Sequence, residues 1–327
     1  MKFKLVEIFI ACVPFILAAC GGGSATNVSD IGLKQDDTLV SDKTISEIAP
    51  GLETRQVINL PADGLHVVRT YTDSKFRNAT TKWVGSEAVT AEITKDDDGE
   101  YLIKLNHKNR ETTFTIDDLN QKRIEYVKNI EGDDITTYLW TFDNTWDDIL
   151  NGTGDYRYMV RLGTSTYNEA TFVNERTYFV TGIAPSDVPT KDTVEYAGIV
   201  SGELSVAAFE VSYIDDDISL SVDFDNATVN GEITLNNFAS DTNPYLKINT
   251  ANVKNNQFTT TVELMDCTDE SCPTLTASQL TGGLYGPGAA ESAGTFVAQG
   301  ISFGGDDYDD NDPRDFTVTA ACGAKKQ

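Results

Sequence analysis

The sequence predicts an all-β protein. Three observations carry this: apolar residues alternate with polar ones at period two, turn residues recur between the alternating runs, and helical periodicity is almost absent beyond residue 50. The clearest run is Ile218-Ser219-Leu220-Ser221-Val222-Asp223-Phe224, apolar at every even position. One face of such a strand is buried and the other is wet. Many short strands joined by regular turns indicate a sandwich or a barrel.

In chain order, Lys2 and Lys4 precede Leu5 to Ala19, almost wholly apolar apart from Glu7. The run is shorter than the ~20 residues a membrane-spanning helix needs and reads as a secretory signal, residues 1–19. It ends Leu17-Ala18-Ala19-Cys20, which resembles the bacterial lipobox. The resemblance implies cleavage before Cys20 and lipidation of its thiol. Gly21-Gly22-Gly23-Ser24 then reads as a flexible tether, and residues 20–49 are assigned to the lipidated cysteine and that tether. Residue 21 is Gly rather than Asp, similar to lipoproteins sent to the outer membrane.

Residues 50–184 are expected to form a strand-rich domain. Thr90 to Thr94, Tyr101 to Leu105, Thr112 to Ile116 and Tyr138 to Phe142 are its candidate strands, with short helix possible at Asp117 to Val127 or Asp147 to Leu150. Pro185 and Pro189 mark a connector. In residues 190–327, one apolar face is formed by Val194, Tyr196, Gly198, Val200, Leu204 and Val206, with others at Phe258, Val262 and Leu264 and at Phe316, Val318 and Ala320. Asn230-Gly231, Asn255-Asn256 and Asp97-Asp98-Gly99 are the expected turns.

With Asp+Glu 51 against Lys+Arg 25, the net charge of −26 excludes nucleic acid as a partner and disfavours adsorption of the folded part to anionic lipid. The acidity suits steering toward a basic partner or adaptation to a salty habitat, and the residues leave both open. No nucleophile elbow, phosphate-binding glycine loop or spaced carboxylate pair is present, so no enzyme and no catalytic residue is expected. The 2 histidines, His66 and His107, exclude chemistry built on several imidazoles. Neither has a supporting motif, and both read as ordinary satisfied histidines, although either could ligate haem. No metal or cofactor is assigned. The acidic run from Asp306 to Asp315 starts like a calcium loop at Asp307, but Asp312 stands where glycine is needed and Val318 where the bidentate Glu is needed. It reads as a solvated loop, and Asp215-Asp216-Asp217 and Asp96-Asp97-Asp98-Gly99 as hairpin tips. Cys267 and Cys272 could close a small loop as a disulfide in an oxidising compartment. Cys322 shares the parity of Phe316 and Val318 and is expected inward as a thiol, with pairing to Cys267 or Cys272 the alternative.

Residues 282–296 run Gly-Gly-Leu-Tyr-Gly-Pro-Gly-Ala-Ala-Glu-Ser-Ala-Gly-Thr-Phe. Gly283, Tyr285, Gly286, Pro287, Ala289, Glu291, Gly294 and Phe296 resemble the C-terminal signature of the transferrin-binding protein B-like lipoproteins. Tyr178 to Gly182, Pro189-Thr190 and Val194 to Gly198 resemble that family's entry into its barrel, with Asp192 where Gly is usual. Phe316 to Gln327 is similar to the last strand of factor H binding protein. The resemblance implies a handle-like domain and then an eight-stranded antiparallel barrel with lipocalin-like closure. It further implies a partner that is an iron-carrier, a haem source or a complement protein, bound through barrel and handle loops. The alternative is a small ligand, such as haem or an iron chelate, inside the barrel. The even-position apolar residues read more simply as a filled core.

Overall fold

The computed structural model describes residues 43–52, 57–72, 79–107, 110–118, 125–130, 135–142, 146–207, 211–234, 245–267, 272–303 and 313–327. The signal segment, Cys20, the glycine tether and the acidic run 306–312 lie outside the described residues.

The strands among the described residues form two antiparallel sheets. The first holds β1 (Val57–Thr70), β2 (Thr80–Lys95), β3 (Tyr101–His107), β4 (Arg110–Phe114), β5 (Glu125–Ile130), β6 (Ile135–Thr141), β7 (Met159–Asn168) and β8 (Val173–Gly182). Their spatial order is β4-β3-β2-β1-β8-β7-β6-β5, so the sheet curls with its first and last strands side by side in the middle. Its inner face is set by alternation: Val89, Ala91 and Ile93 on β2, Ile103 and Leu105 on β3, and Phe179 on β8 are all buried in one core.

Two short helices close over that core, α1 (Ile45–Ile48) and α2 (Trp146–Asn151). Ile45, Ile48, Trp146, Ile149 and Leu150 enter the same cluster. Thr44 and Glu47 form a capping box, in which the Thr44 N–H donates to Glu47 Oε2 at 2.7 Å. Residues 44–49 therefore differ from the tether expected there, because Ile45, Ile48 and Ala49 have a core to enter.

The second sheet holds β9 (Thr193–Val206), β10 (Ser212–Asp223), β11 (Thr228–Thr234), β12 (Tyr245–Asn252), β13 (Gln257–Thr260), β14 (Val262–Met265), β15 (Thr274–Tyr285), β16 (Glu291–Phe303) and β17 (Pro313–Lys326). Its order is β13-β15-β16-β17-β9-β10-β11-β12-β14. β13 pairs with β15, β14 pairs with β12, and Thr261 alone separates them. They are one bent strand that closes the sheet on itself, and counted so the barrel has the eight strands expected. The Asn249 N–H donates to Thr261 O at 3.0 Å, and the Val262 N–H donates to Ser278 Oγ at 3.0 Å, bridging the bend from both sides. The interior is packed by Tyr196, Leu220, Phe258, Phe296 and Phe316 among others, the filled core of the simpler reading.

Three local readings are corrected. Asn230-Gly231 is not a turn: Gly231 lies within β11, where a Cβ would come within 2.1 Å of Ser219 O. The close strand approach, not a reversal, demands glycine there. The reversal falls just before β11, where the Asp223 carboxylate accepts from the Asn226 N–H at 3.0 Å. Asp215–Asp217 is not a hairpin tip: it lies in β10 opposite Ser201, Val200 and Ile199, with Asp216 buried. Of the span Asp117 to Val127, the described residues are not α-helical: Asp117 and Asp118 belong to a 3-10 turn, Glu125 to Val127 belong to β5, and residues 119–124 lie outside the described residues. α2 does cover Asp147 to Leu150.

The signature segment forms the β15–β16 hairpin. Gly286 and Gly288 take φ of 71° and 61°, a region open to glycine at no steric cost. Gly294 faces β15 so closely that a Cβ would lie 2.4 Å from Thr281 O. Gly294→Ala is expected to cost ~1–3 kcal/mol by forcing the strands apart. Gly51→Ala, where nothing lies within 4 Å, should stay within ~0.5 kcal/mol. Urea midpoints measured side by side decide this, and equal midpoints for the two variants would refute the close-approach argument.

Candidate functional site

Strand alternation gives each sheet an outer face, and the two outer faces pack together. On β8, Phe179 points into the first core while Arg176 and Tyr178 point the other way. Tyr178 is 1% exposed and packs with Leu65 and Val67 of β1 against Val297 of β16. β2 carries a bulge beside the step from His66 to Val67, which sets Trp83 opposite Val67 and leaves Val84 unpaired and exposed. Trp83, Trp140 and Phe142 flank the same contact.

A buried ionic cluster sits in this interface. Glu203 of β9 faces away from its own barrel core and accepts from Arg69 Nη2 at 2.9 Å, from Arg176 Nη1 and from the Tyr178 hydroxyl at 3.0 Å. Burial alone would raise the Glu203 pKa, but Arg176 and Arg69 overcome it and hold the carboxyl below its ordinary value. Burial, with Glu203 beside it, pushes the Tyr178 phenol up to about 12. Nearby, Arg161 Nη1 donates to Ile199 O at 3.0 Å and Ala321 O at 2.9 Å, and the Tyr156 hydroxyl donates to Gly323 O at 2.7 Å. Glu291, from the signature hairpin, reaches back to the first sheet. Its carboxylate accepts the N–H groups of Arg157, Tyr158 and Met159 at 2.8, 3.0 and 3.1 Å.

Beside the Glu203 cluster the sheets part to leave a cleft of about 470 Å³. Tyr71, Tyr138, Trp140 and Phe142 line it, with Arg176 and Glu203 on its wall. Its aromatic rings are braced edge to face, Trp140 against Tyr178 at 6.2 Å and Tyr71 against Tyr167 at 6.4 Å. Tyr213 stands at its rim, 82% exposed. Asn174 Oδ1 and Arg176 Nε, both on residues of this lining, are buried without a protein hydrogen-bond partner. The cleft thus offers flat apolar surface, one acceptor and one cationic donor.

The residues singled out from sequence fall elsewhere. Cys267 and Cys272 are disulfide-bonded with Cα atoms 5.6 Å apart. Cys322 is buried and free, facing the second core, and burial pushes its thiol up to about 11. Gly283, Tyr285, Gly286, Pro287, Ala289, Gly294 and Phe296 serve the hairpin and its packing. Only Glu291 of that set forms the inter-sheet hydrogen bonds described above. His66 and His107 come together, their ring centroids 6.2 Å apart. Arg69, Arg176 and Glu203 carried no local signal, since each faces outward from its own sheet and only the inter-sheet packing makes it special.

Residues 188–326 match the family described as the C-lobe and N-lobe beta barrels of Tf-binding protein B. The second barrel belongs to this family. The chain is also similar to solved structures. One is a double mutant of transferrin-binding protein B from Haemophilus parasuis Hp5, at 12% identity, covering 82% of this chain and 76% of that one, with a TM-score of 0.38. Another is isotype 1 transferrin-binding protein B from serogroup B Neisseria meningitidis, at 14% identity, covering 74% of this chain and 52% of that one, with a TM-score of 0.35. A third is described as a surface lipoprotein, at 14% identity, covering 80% of this chain and 99% of that one, with a TM-score of 0.36. No curated protein matches the chain.

Proposed function

We propose that this chain is a surface-exposed outer-membrane lipoprotein, anchored through Cys20, that recognises a protein partner at the cleft between its two sheets. The observation that carries the reading is the cleft itself: an open aromatic recess with an exposed Tyr213 at its rim. Tyr, Trp and Arg are the residue types that dominate binding energy at protein interfaces. The family barrel supports a binding role rather than catalysis, and the relatives named for transferrin binding point to an iron-carrier as the partner class. The net charge of −26 favours a basic face on that partner and an association slowed by salt. The lipid anchor would hold the chain at the membrane without any spanning helix.

Immobilised transferrin, lactoferrin and factor H, with albumin as control, test this directly. One of the first three should bind the purified protein, and Tyr213→Ala should weaken that binding ~10-fold or more, in line with loss of an interface anchor, at an unchanged Tm. Binding indifferent to both Tyr213→Ala and Trp140→Ala would remove the cleft from the reading. For the anchor, Cys20→Ala should move the protein out of the membrane fraction, and unchanged fractionation would dispose of it.

A second reading rests on Asn174 Oδ1 and Arg176 Nε, the cleft's two unpartnered polar atoms. The cleft volume falls within the ~300–1,000 Å³ typical of small-ligand sites. A planar ligand with a carboxylate, such as haem, would stack on the rings and engage Arg176. Native mass spectra after exposure to haem should show one added haem per chain if this reading is right, and an unaltered mass if it is wrong.

A further inference from the structure

We infer that His66, Glu87 and His107 form a site for one divalent first-row transition-metal ion, with zinc the reference ion. The site is separate from the cleft and does not depend on what the cleft binds.

The three residues come from three adjacent strands, β1, β2 and β3, and only strand register brings them together. Glu87 pairs with Gly64, two residues from His66, and His107 pairs with Val89, two residues from Glu87. Parity puts all three on the inner face of the first sheet. His66 alternates with Ala62 and Gly64, Glu87 with Val89 and Ala91, and His107 with Ile103 and Leu105, whose apolar members are in the first core. The chain has 2 histidines in 327 residues, and both are here.

The geometry is that of a nearly closed coordination shell. Glu87 Oε2 lies 3.3 Å from His66 Nδ1 and 3.0 Å from His107 Nε2. The three ligand atoms all lie within 4.8 Å of one another. A tetrahedral ion with bonds of ~2.0–2.1 Å holds its ligands ~3.3–3.4 Å apart, so small side-chain rotations suffice to seat it. Thr177 on β8 adds a fourth polar atom, its Oγ1 3.2 Å from His66 Nδ1 and 3.0 Å from His107 Nε2. Thr177 fits there because position 64 is glycine: a Cβ on Gly64 would meet Thr177 Cγ2 at 2.2 Å.

The chemistry of the set selects the ion. Two imidazoles and one carboxylate suit zinc, iron(II), nickel or copper, whereas calcium and magnesium want oxygen throughout. His66 and His107 are 5% and 8% exposed, while the Glu87 side chain keeps 23% of its surface, which leaves the ion a way in. The competing arrangement is a metal-free cluster, in which the His107 Nε2–H donates to Glu87 and the His66 Nδ1–H donates to Arg176 O at 3.1 Å. The two differ in one respect: a metal needs both of these nitrogens deprotonated.

The test uses the full chain, stripped with chelator and titrated with zinc by calorimetry. One zinc per chain is expected. His107→Gln and Glu87→Gln should each weaken it more than ~100-fold, since loss of an outer partner alone costs ~10–100-fold. Excess calcium should not displace it. Imidazole nitrogen NMR of the unmutated chain needs no variant: zinc should shift His66 Nδ1 and His107 Nε2, and no other imidazole exists to confuse the spectrum. No zinc uptake would overturn the proposal. So would uptake that leaves both imidazoles unshifted, or that survives in a folded His66→Gln/His107→Gln variant, because the ion would then sit on surface carboxylates.

Discussion

Replacing Glu203 with Gln is expected to destabilise the protein by ~3–5 kcal/mol, the usual cost of removing one partner from a buried ionic group. Glu203 is 6% exposed and Arg69 1%, so the change leaves guanidinium charge in the interface with no carboxylate to answer it. The urea midpoint measures the loss. Replacing Arg69, Arg176 and Glu203 together with apolar residues of similar volume should recover most of it, because an apolar contact is a fair substitute for a satisfied buried cluster. The pH dependence has a definite sign. The folded Glu203 pKa lies below its ordinary value, because Arg176 and Arg69 outweigh burial. Its contribution is therefore complete above the unfolded value of ~4.3 and is lost as pH falls through the lower folded value. Wild type and Glu203→Gln should converge in stability as the solution is acidified. Parallel curves down to low pH would show that the charge contributes nothing.

Glu291→Ala is expected to cost roughly 3 kcal/mol, since it removes the acceptor of three backbone N–H groups, two of them part-buried and one buried. Glu291→Gln, which keeps one carbonyl acceptor, should cost ~1 kcal/mol. Here the pH sign reverses. Burial pushes the Glu291 carboxyl up despite the three donors that oppose it. A raised pKa contributes stability below the unfolded value and loses it as pH rises through the folded one. The deficit of Glu291→Gln should therefore narrow as pH rises above the unfolded value of ~4.3 and through the raised folded one. A deficit that widens over that range would mean the three N–H groups, not burial, dominate this carboxylate.

What could be read in the sequence was whatever local periodicity encodes. Ile218, Leu220 and Val222 announce β10 because one face is apolar and the other polar, and all three are buried. The same strand begins Asp215-Asp216-Asp217, and there the pattern misled. Three successive carboxylates look like a solvated tip, yet Asp215 and Asp217 point outward and Asp216 is carried inward by the alternation. Gly231 misled for a related reason, since a glycine that reverses a chain and one that admits a neighbouring backbone look alike in sequence. The sites were illegible because they are products of register and docking. His66, Glu87 and His107 are about twenty residues apart in sequence, and no spacing rule links them until β1, β2 and β3 are aligned. Arg69 and Glu203 are 134 residues apart and meet only when two outer faces dock. Glu291 was visible as part of a hairpin signature, but its three backbone partners were not.

The position of β17 has a kinetic consequence. This strand, residues 313–326, lies between β16 and β9, so it is an interior member of its sheet although it comes last in sequence. Until it is in place, β9 and β16 each present an unpaired backbone edge, and the inner face lacks Phe316, Val318, Ala320 and Cys322. Pairings this distant along the chain also form slowly. In a chain emerging from a ribosome this barrel therefore stays open until the β17 segment is free. Over the same interval those two edges are open to pairing with other strands.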